Sequence, residues 1–136
     1  MKGDGLNPRA LIARHNLAPH PEGGWYRETW RARAVAGERA GGTAILFLLE
    51  EGQRSHWHKV DADELWFWHA GAPLALCVGG ASVMMLGPAN PQALVRAGEW
   101  QAAEAGGGWS FVSCVVVPAF EFAGFTLASE GWGPLA

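Results

Sequence analysis

The stretch Gly52-Gln53-Arg54-Ser55-His56-Trp57-His58, running on through Asp63-Glu64-Leu65-Trp66 to Gly71, decides how this chain is read. Its first half alternates like a β-strand, in which successive side chains point to opposite faces. Strict alternation places His56 and His58 on one face with Arg54 and Val60, and Trp57 on the other. Glu64 follows six residues after His58 and opens a second strand-like run ending at Gly71. Two imidazoles and a carboxylate on neighbouring strands can meet a metal ion or form an acid–base pair. The remaining sequence reads as a container for that arrangement.

The 136 residues are the length of one domain, 1–136, and with 49% apolar residues they can bury a core without staples. A formal charge of −3 gives no reason to expect nucleic acid or an anionic membrane as partner. No apolar segment follows Lys2, and the runs Ala44–Leu49 and Cys114–Ala119 are too short to span a bilayer. The expectation is a cytoplasmic protein. Cys77 and Cys114 lie inside apolar strand-like runs and read as buried thiols rather than a disulfide.

Asn7-Pro8 starts one short helix, with Asn7 as the N-cap and Leu11, Ile12 and Leu17 turned to the core. His20-Pro21-Glu22-Gly23-Gly24 forms a turn. The following strand, Trp25–Arg31, carries Trp25, Arg27, Thr29 and Arg31 on one face and Tyr26, Glu28 and Trp30 on the other. Further strands are expected at Thr43–Glu51, Arg54–Val60, Glu64–His69, Leu74–Val78, Ser82–Leu86, Ala93–Ala97, Trp100–Glu104, Trp109–Val117 and Glu121–Ala128. Turn signals such as Gly71-Ala72-Pro73, Gly79-Gly80 and Gly87-Pro88 separate them. Short, evenly spaced strands after a single helix argue for an all-β antiparallel sandwich or barrel.

Gly52, His56, His58, Glu64 and Gly71 resemble the first signature motif of the cupins. The second motif has its counterpart in Arg96-Ala97-Gly98-Glu99-Trp100-Gln101, where Gln101 stands in the place of a third metal histidine and Arg96 replaces a proline. The chain is similar to a group of small cupins with a box like His20-Pro21-Glu22-Gly23-Gly24-Trp25-Tyr26-Arg27-Glu28 near the start. Asp63-Glu64-Leu65-Trp66, Ala97-Gly98-Glu99-Trp100-Gln101 and Pro118-Ala119-Phe120-Glu121-Phe122 also match it. The resemblance implies a double-stranded β-helix, a jelly-roll barrel with a pocket at one mouth, paired as a homodimer. Many members of that group keep only the histidine equivalent to His58, and this chain has Phe67 where another histidine is expected. The group is also similar to sugar-nucleotide epimerases of the cupin type, which need no metal.

The candidate site is therefore stated in two forms. As a metal centre it uses His56, His58 and Glu64, with Gln101 as a fourth ligand or water holder, around one divalent Zn, Fe, Mn or Ni ion. As a metal-free pocket it uses His56 or His58 as general base, oriented by Glu64. A ligated imidazole nitrogen cannot also take a proton, so the two forms exclude each other. Arg27, Glu22 and Glu28 are the charged ligand-binding candidates, joined by Gln101, by Glu121 between two phenylalanines, and by Trp66 and Trp68, which share the face of Glu64. His15, His20 and His69 read as structural. The expected function is binding of a small molecule, with proton transfer on a sugar or a small hydroxy or keto acid as the reaction of an isomerase or epimerase. A non-catalytic binding protein and a metal-dependent dioxygenase are the alternatives.

Overall fold

A computed structural model describes residues 6–80 and 82–134. The helix α1 (Pro8–His15) forms as its sequence dictates: the Asn7 side chain accepts the Ala10 N–H at 2.9 Å, and Asn16 closes the helix in the left-handed conformation. The strands are β1 (Ala18–Pro19), β2 (Trp25–Arg31), β3 (Thr43–Leu49), β4 (Arg54–Val60), β5 (Asp63–Gly71), β6 (Leu74–Val78), β7 (Ser82–Leu86), β8 (Gln92–Val95), β9 (Gln101–Glu104), β10 (Ser110–Val117) and β11 (Phe125–Leu127). All pair antiparallel in two sheets, ordered β1-β2-β3-β10-β5-β8 and β11-β4-β9-β6-β7. The chain crosses repeatedly between the sheets, as a double-stranded β-helix requires.

The expected strand over Glu121–Ala128 is shorter: Phe122–Gly124 forms a single turn of 3-10 helix, leaving Phe125–Leu127 to pair with β4. Between the sheets lie Phe47, Leu49, Trp66, Leu74, Leu76, Leu86, Val95 and Val112, all at most 1% exposed. α1 and the residues just after it cover the outer face of the six-stranded sheet through Leu11 and Leu17, which pack with Leu48 and Phe111. That second layer explains why β3 is apolar on both faces rather than alternating. Cys77 and Cys114 are both free thiols. Among the described residues no helix is long and apolar enough to cross a membrane.

Three strands break their alternation: β5 gains a residue at His69, since Trp68 pairs with Val112 and Ala70 with Phe111, and the other two shape the site. In β4, Ser55 pairs with Ala103 and His58 with Gln101, so one extra residue is inserted on β4 between these pairs. In β2, Glu28 pairs with Ile45 and Trp30 with Ala44, again with one residue to spare. Each is a β-bulge, which reverses the inside–outside phase of the residues beyond it.

The turn between β1 and β2 lies on the β4 bulge. The His20 N–H donates to the Gly24 carbonyl at 2.9 Å and the Gly23 N–H to the His20 carbonyl at 3.0 Å, closing the turn. The His56 N–H, freed from the sheet ladder at the bulge, donates to the Glu22 carbonyl at 2.8 Å. Gly23 makes this approach possible: its φ is +112°, and a Cβ there would fall 2.2 Å from the Arg54 carbonyl oxygen. Gly23→Ala is expected to lower stability by about 2–4 kcal/mol, combining backbone strain with a steric clash. Gly106→Ala, where a Cβ meets nothing within 4 Å, should stay within about 0.5 kcal/mol of the parent. Denaturant midpoints of the two variants measure the contrast.

Candidate functional site

The turn pushes Glu22 between the sheets, where its side chain is only 9% exposed. It meets the inward residues of the bulged strand. The Ser55 hydroxyl donates to Glu22 Oε2, and His58 Nε2 lies 3.6 Å from Glu22 Oε1. His20 completes the wall: its Nδ1 accepts the Glu22 backbone N–H at 3.1 Å and stands 3.5 Å from Glu22 Oε1.

These groups border a cavity of about 500 Å3, inside the range of roughly 300–1,000 Å3 usual for small-molecule sites. His20, Glu22, His58, Glu64 and Cys114 give it a polar interior. Tyr26, Thr43, Ile45, Val60 and Val116 form its sides. The exposed residues Glu28, Arg31, Glu121 and Phe122, with Phe120, lie at its mouth.

Hydrogen bonds fix which ring nitrogens are protonated. His58 Nδ1 sits 2.8 Å from the His56 carbonyl, which can only accept, so Nδ1 carries the proton and the neutral ring presents a bare Nε2. In His20 the pattern is reversed: Nδ1 accepts from the backbone, so Nε2 carries the proton.

Burial then sets the charges. Removal from water pushes the Glu22 carboxyl up to about 8, against the smaller opposing effect of the Ser55 hydroxyl. The same desolvation pulls His20 down to about 4, helped by His58. His58 is also lowered, by burial first, although Glu64 opposes the shift. Glu64 is raised by burial, and Cys114 is held well above the ordinary thiol range. The Glu22–His58 separation would suit an ion pair, yet desolvation acts on both partners and outweighs it. At neutral pH the wall is an uncharged acid beside an uncharged base.

Glu64 is held from behind. Trp66 Nε1 donates to Gln101 Oε1 at 2.9 Å, and Gln101 Nε2 donates to Glu64 Oε1 at 2.9 Å. An indole N–H is donor only, so Trp66 fixes the amide orientation and commits its NH2 to the carboxyl.

Several expected site residues are placed elsewhere. His56 does not share a face with His58: the bulge turns it outward, with Nε2 3.0 Å from the Ser129 carbonyl. Gln101 is 1% exposed and does not border the cavity. Arg27 is exposed and donates through Nη1 to the His15 carbonyl at 3.3 Å. Trp66 is core, and Trp68 donates to the Ala72 carbonyl at 3.0 Å. Glu22, His58 and Glu64 meet inside, while Glu28 and Glu121 reach only the mouth.

The cavity also contains residues that sequence reasoning set aside or passed over: His20, Tyr26, Arg31 and Cys114. His20 and Tyr26 were signalled by the turn box itself, three residues before Gly23 and two after Gly24. Among the described residues no group of three or more His, Cys, Asp or Glu side chains is arranged to hold a metal ion. The expected donor set of His56, His58, Glu64 and Gln101 does not fit one: His56 points away, and the Gln101 amide is spent on Glu64 and Trp66.

No curated protein matches the chain. Among solved structures, a protein of Shewanella oneidensis is 33% identical with a TM-score of 0.82, over 91% of this chain and 85% of that one. A hypothetical protein from Leishmania major is 30% identical with a TM-score of 0.79, over 89% of this chain and 86% of that one. A DMSP lyase from Ruegeria pomeroyi shares the fold at 16% identity and a TM-score of 0.66, over 92% of this chain and 68% of that one. A family model described as cupin superfamily (DUF985) matches residues 9–128, nearly the whole of both sheets, and the chain belongs to that family.

Proposed function

We propose that this cupin binds a small organic molecule in the cavity and moves a proton on it without a metal, as an isomerase or epimerase of a sugar or a small hydroxy or keto acid. One observation carries the reading: the bare Nε2 of His58 stands 3.6 Å from the Glu22 carboxyl on the inner wall of the cavity. His58 Nε2 takes a proton from a C–H beside a carbonyl, and the electron pair moves into an enolate. The protonated Glu22 carboxyl and the His20 Nε2–H donate hydrogen bonds to the developing oxyanion. Return of the proton to a different carbon or face completes an isomerisation or epimerisation. Glu64 favours the imidazolium that forms on His58, which is the direction of its influence on that ring. The reading also places the chain in the group of cupins marked by the His20–Gly24 box, since that box supplies Glu22 and His20.

Solvent exchange tests the chemistry. With sugars and 2-hydroxy or 2-keto acids in D2O, the wild type is expected to wash deuterium into one C–H, followed by proton NMR. His58→Gln should slow exchange by about 10²–10⁴-fold, the usual worth of a general base, with His56→Ala close to wild type. Ligands that bind without exchange would make this a non-catalytic binding protein, and equal losses in His56→Ala and His58→Gln would overturn the assignment of the base.

Stability carries a second signature. Because the Glu22 pKa in the folded chain is about 8 against 4.5 in the open chain, the native state binds the extra proton between those values, and stability falls as pH rises through that window. His20, lowered from 6.5 to about 4, acts in the opposite sense, adding stability as pH rises to 6.5 and nothing above it. Between pH 6.5 and 8 the imidazoles no longer contribute, and Glu22 lowers stability by up to about 1.4 kcal/mol per pH unit, in the same sense as the raised Glu64. Glu22→Gln is expected to make that decline shallower by the share of Glu22. Urea midpoints at several pH values across the window check it, and an unchanged slope in Glu22→Gln would show that Glu22 is already ionised.

A further inference from the structure

The mouth of the cavity is asymmetric in charge, and one residue accounts for it. The β2 bulge between Glu28 and Trp30 brings Arg31 to the cavity side beside Glu28, although strict alternation would separate them. Glu28 occupies one edge of the guanidinium, accepting the Nε–H at 3.1 Å and an Nη2–H at 2.7 Å. The Phe120 carbonyl accepts from Nη2 at 3.0 Å. A guanidinium has five N–H donors, and both on Nη1 have no protein acceptor among the described residues.

The neighbouring charges are all committed. Arg39 is bonded to both Asp61 oxygens at 2.8 and 3.1 Å and to the Ala119 carbonyl at 2.8 Å, with Glu121 3.7 Å from its Nε. Glu22 and Glu64 are buried, and burial raises both carboxyls above the ordinary carboxylate range. Arg31 is the one arginine or lysine bordering the cavity among the described residues, and its side chain remains 42% exposed. A carboxylate already rests on its fork in the form of Glu28, which shows the shape and charge this position accepts.

We propose that Arg31 determines specificity by seating the carboxylate of a small organic acid at the cavity mouth, with Glu28 as the resident anion that the ligand's carboxylate joins or displaces. The substrate class then narrows from sugars and acids in general to hydroxy or keto acids, whose uncharged portion reaches the neutral interior wall. The binding half of this inference stands on Arg31 alone, and only its chemistry rests on the proton-transfer reading above.

The test pairs acids with uncharged isosteres: 2-oxobutanoate with 2-oxobutanamide and lactate with lactamide, together with glucose 6-phosphate as a phosphate competitor. Titration calorimetry on the wild type, Arg31→Gln, Arg31→Lys and Glu28→Gln gives each Kd, and thermal melts confirm that the variants fold. The wild type is expected to prefer at least one acid over its amide by about tenfold or more, the worth of a charge-assisted bond. Arg31→Gln should erase that preference while leaving amide binding unchanged. Arg31→Lys should retain part of it, since an ammonium keeps the charge and loses the fork, and Glu28→Gln should tighten the acid.

No preference for either acid in the wild type, or one that survives in Arg31→Gln, overturns the inference. So does an Arg31-dependent preference for the phosphate over both acids. Deuterium exchange on the same compounds separates this from the earlier reading. An Arg31-dependent preference without exchange keeps the anion seat and removes the proton transfer. Equal exchange on acid and amide does the reverse.

Discussion

One backbone hydrogen bond, from the His56 N–H to the Glu22 carbonyl, ties together the two segments that make the site. A strand amide normally belongs to its ladder. This one is released because the bulge leaves a residue of β4 without an opposite number on β9. A buried amide must find an acceptor, and the turn before β2 supplies it. The consequences run in both directions. The turn is held on β4 closely enough that Gly23 can have no side chain, and Glu22 is carried into the interior beside His58. The same bulge turns His56 outward, so its backbone organises the cavity while its imidazole stays outside.

The interior chemistry follows from burial more than from pairwise attraction. Two carboxyls, two imidazoles and a thiol share the deep part of the cavity, whose one arginine or lysine among the described residues, Arg31, stands at the exposed mouth. In such surroundings burial disfavours charge, raising both carboxyls and lowering both imidazoles. The His56 carbonyl selects the His58 tautomer with a free Nε2. Trp66 orients Gln101, which in turn holds Glu64. Gln101 thus does structural work at the place where a cupin motif carries a third metal histidine. An amide committed at both ends cannot turn a lone pair toward the cavity without leaving the Trp66 N–H unpaired.

Much of the fold was legible because its signals are local and periodic. Asn7-Pro8 specified the helix start, and glycine and proline turns delimited strands such as β4, β6 and β7 to the residue. The motif spanning His58 and Glu64 identified the right pair of strands. What failed was phase. His56 was assigned to the face of His58, and Arg31 to the face opposite Glu28, because a period of two was carried through positions where the strand gains a residue. A bulge is a property of a pair of strands: it appears only when Ser55 and His58 are set against Ala103 and Gln101, or Glu28 and Trp30 against Ile45 and Ala44. Nothing in the bulged strand alone marks it.

The bulges of β2 and β4 also have a common effect. Each brings a polar pair three residues apart onto the inner side of one strand: Ser55 with His58 on β4, Glu28 with Arg31 on β2. Regular pleating would put such pairs on opposite faces, one in the cavity and one outside. With the extra residue, Ser55 bonds the acid that His58 faces, and Glu28 bonds the arginine it would otherwise be separated from by the sheet. The first pair lies deep, where desolvation keeps groups uncharged and able to exchange protons. The second lies at the rim, where solvent tolerates a full charge and an anion can be received. A pocket that accepts a charged end and works on an uncharged one needs both environments a short distance apart, and in this chain each environment depends on one inserted residue.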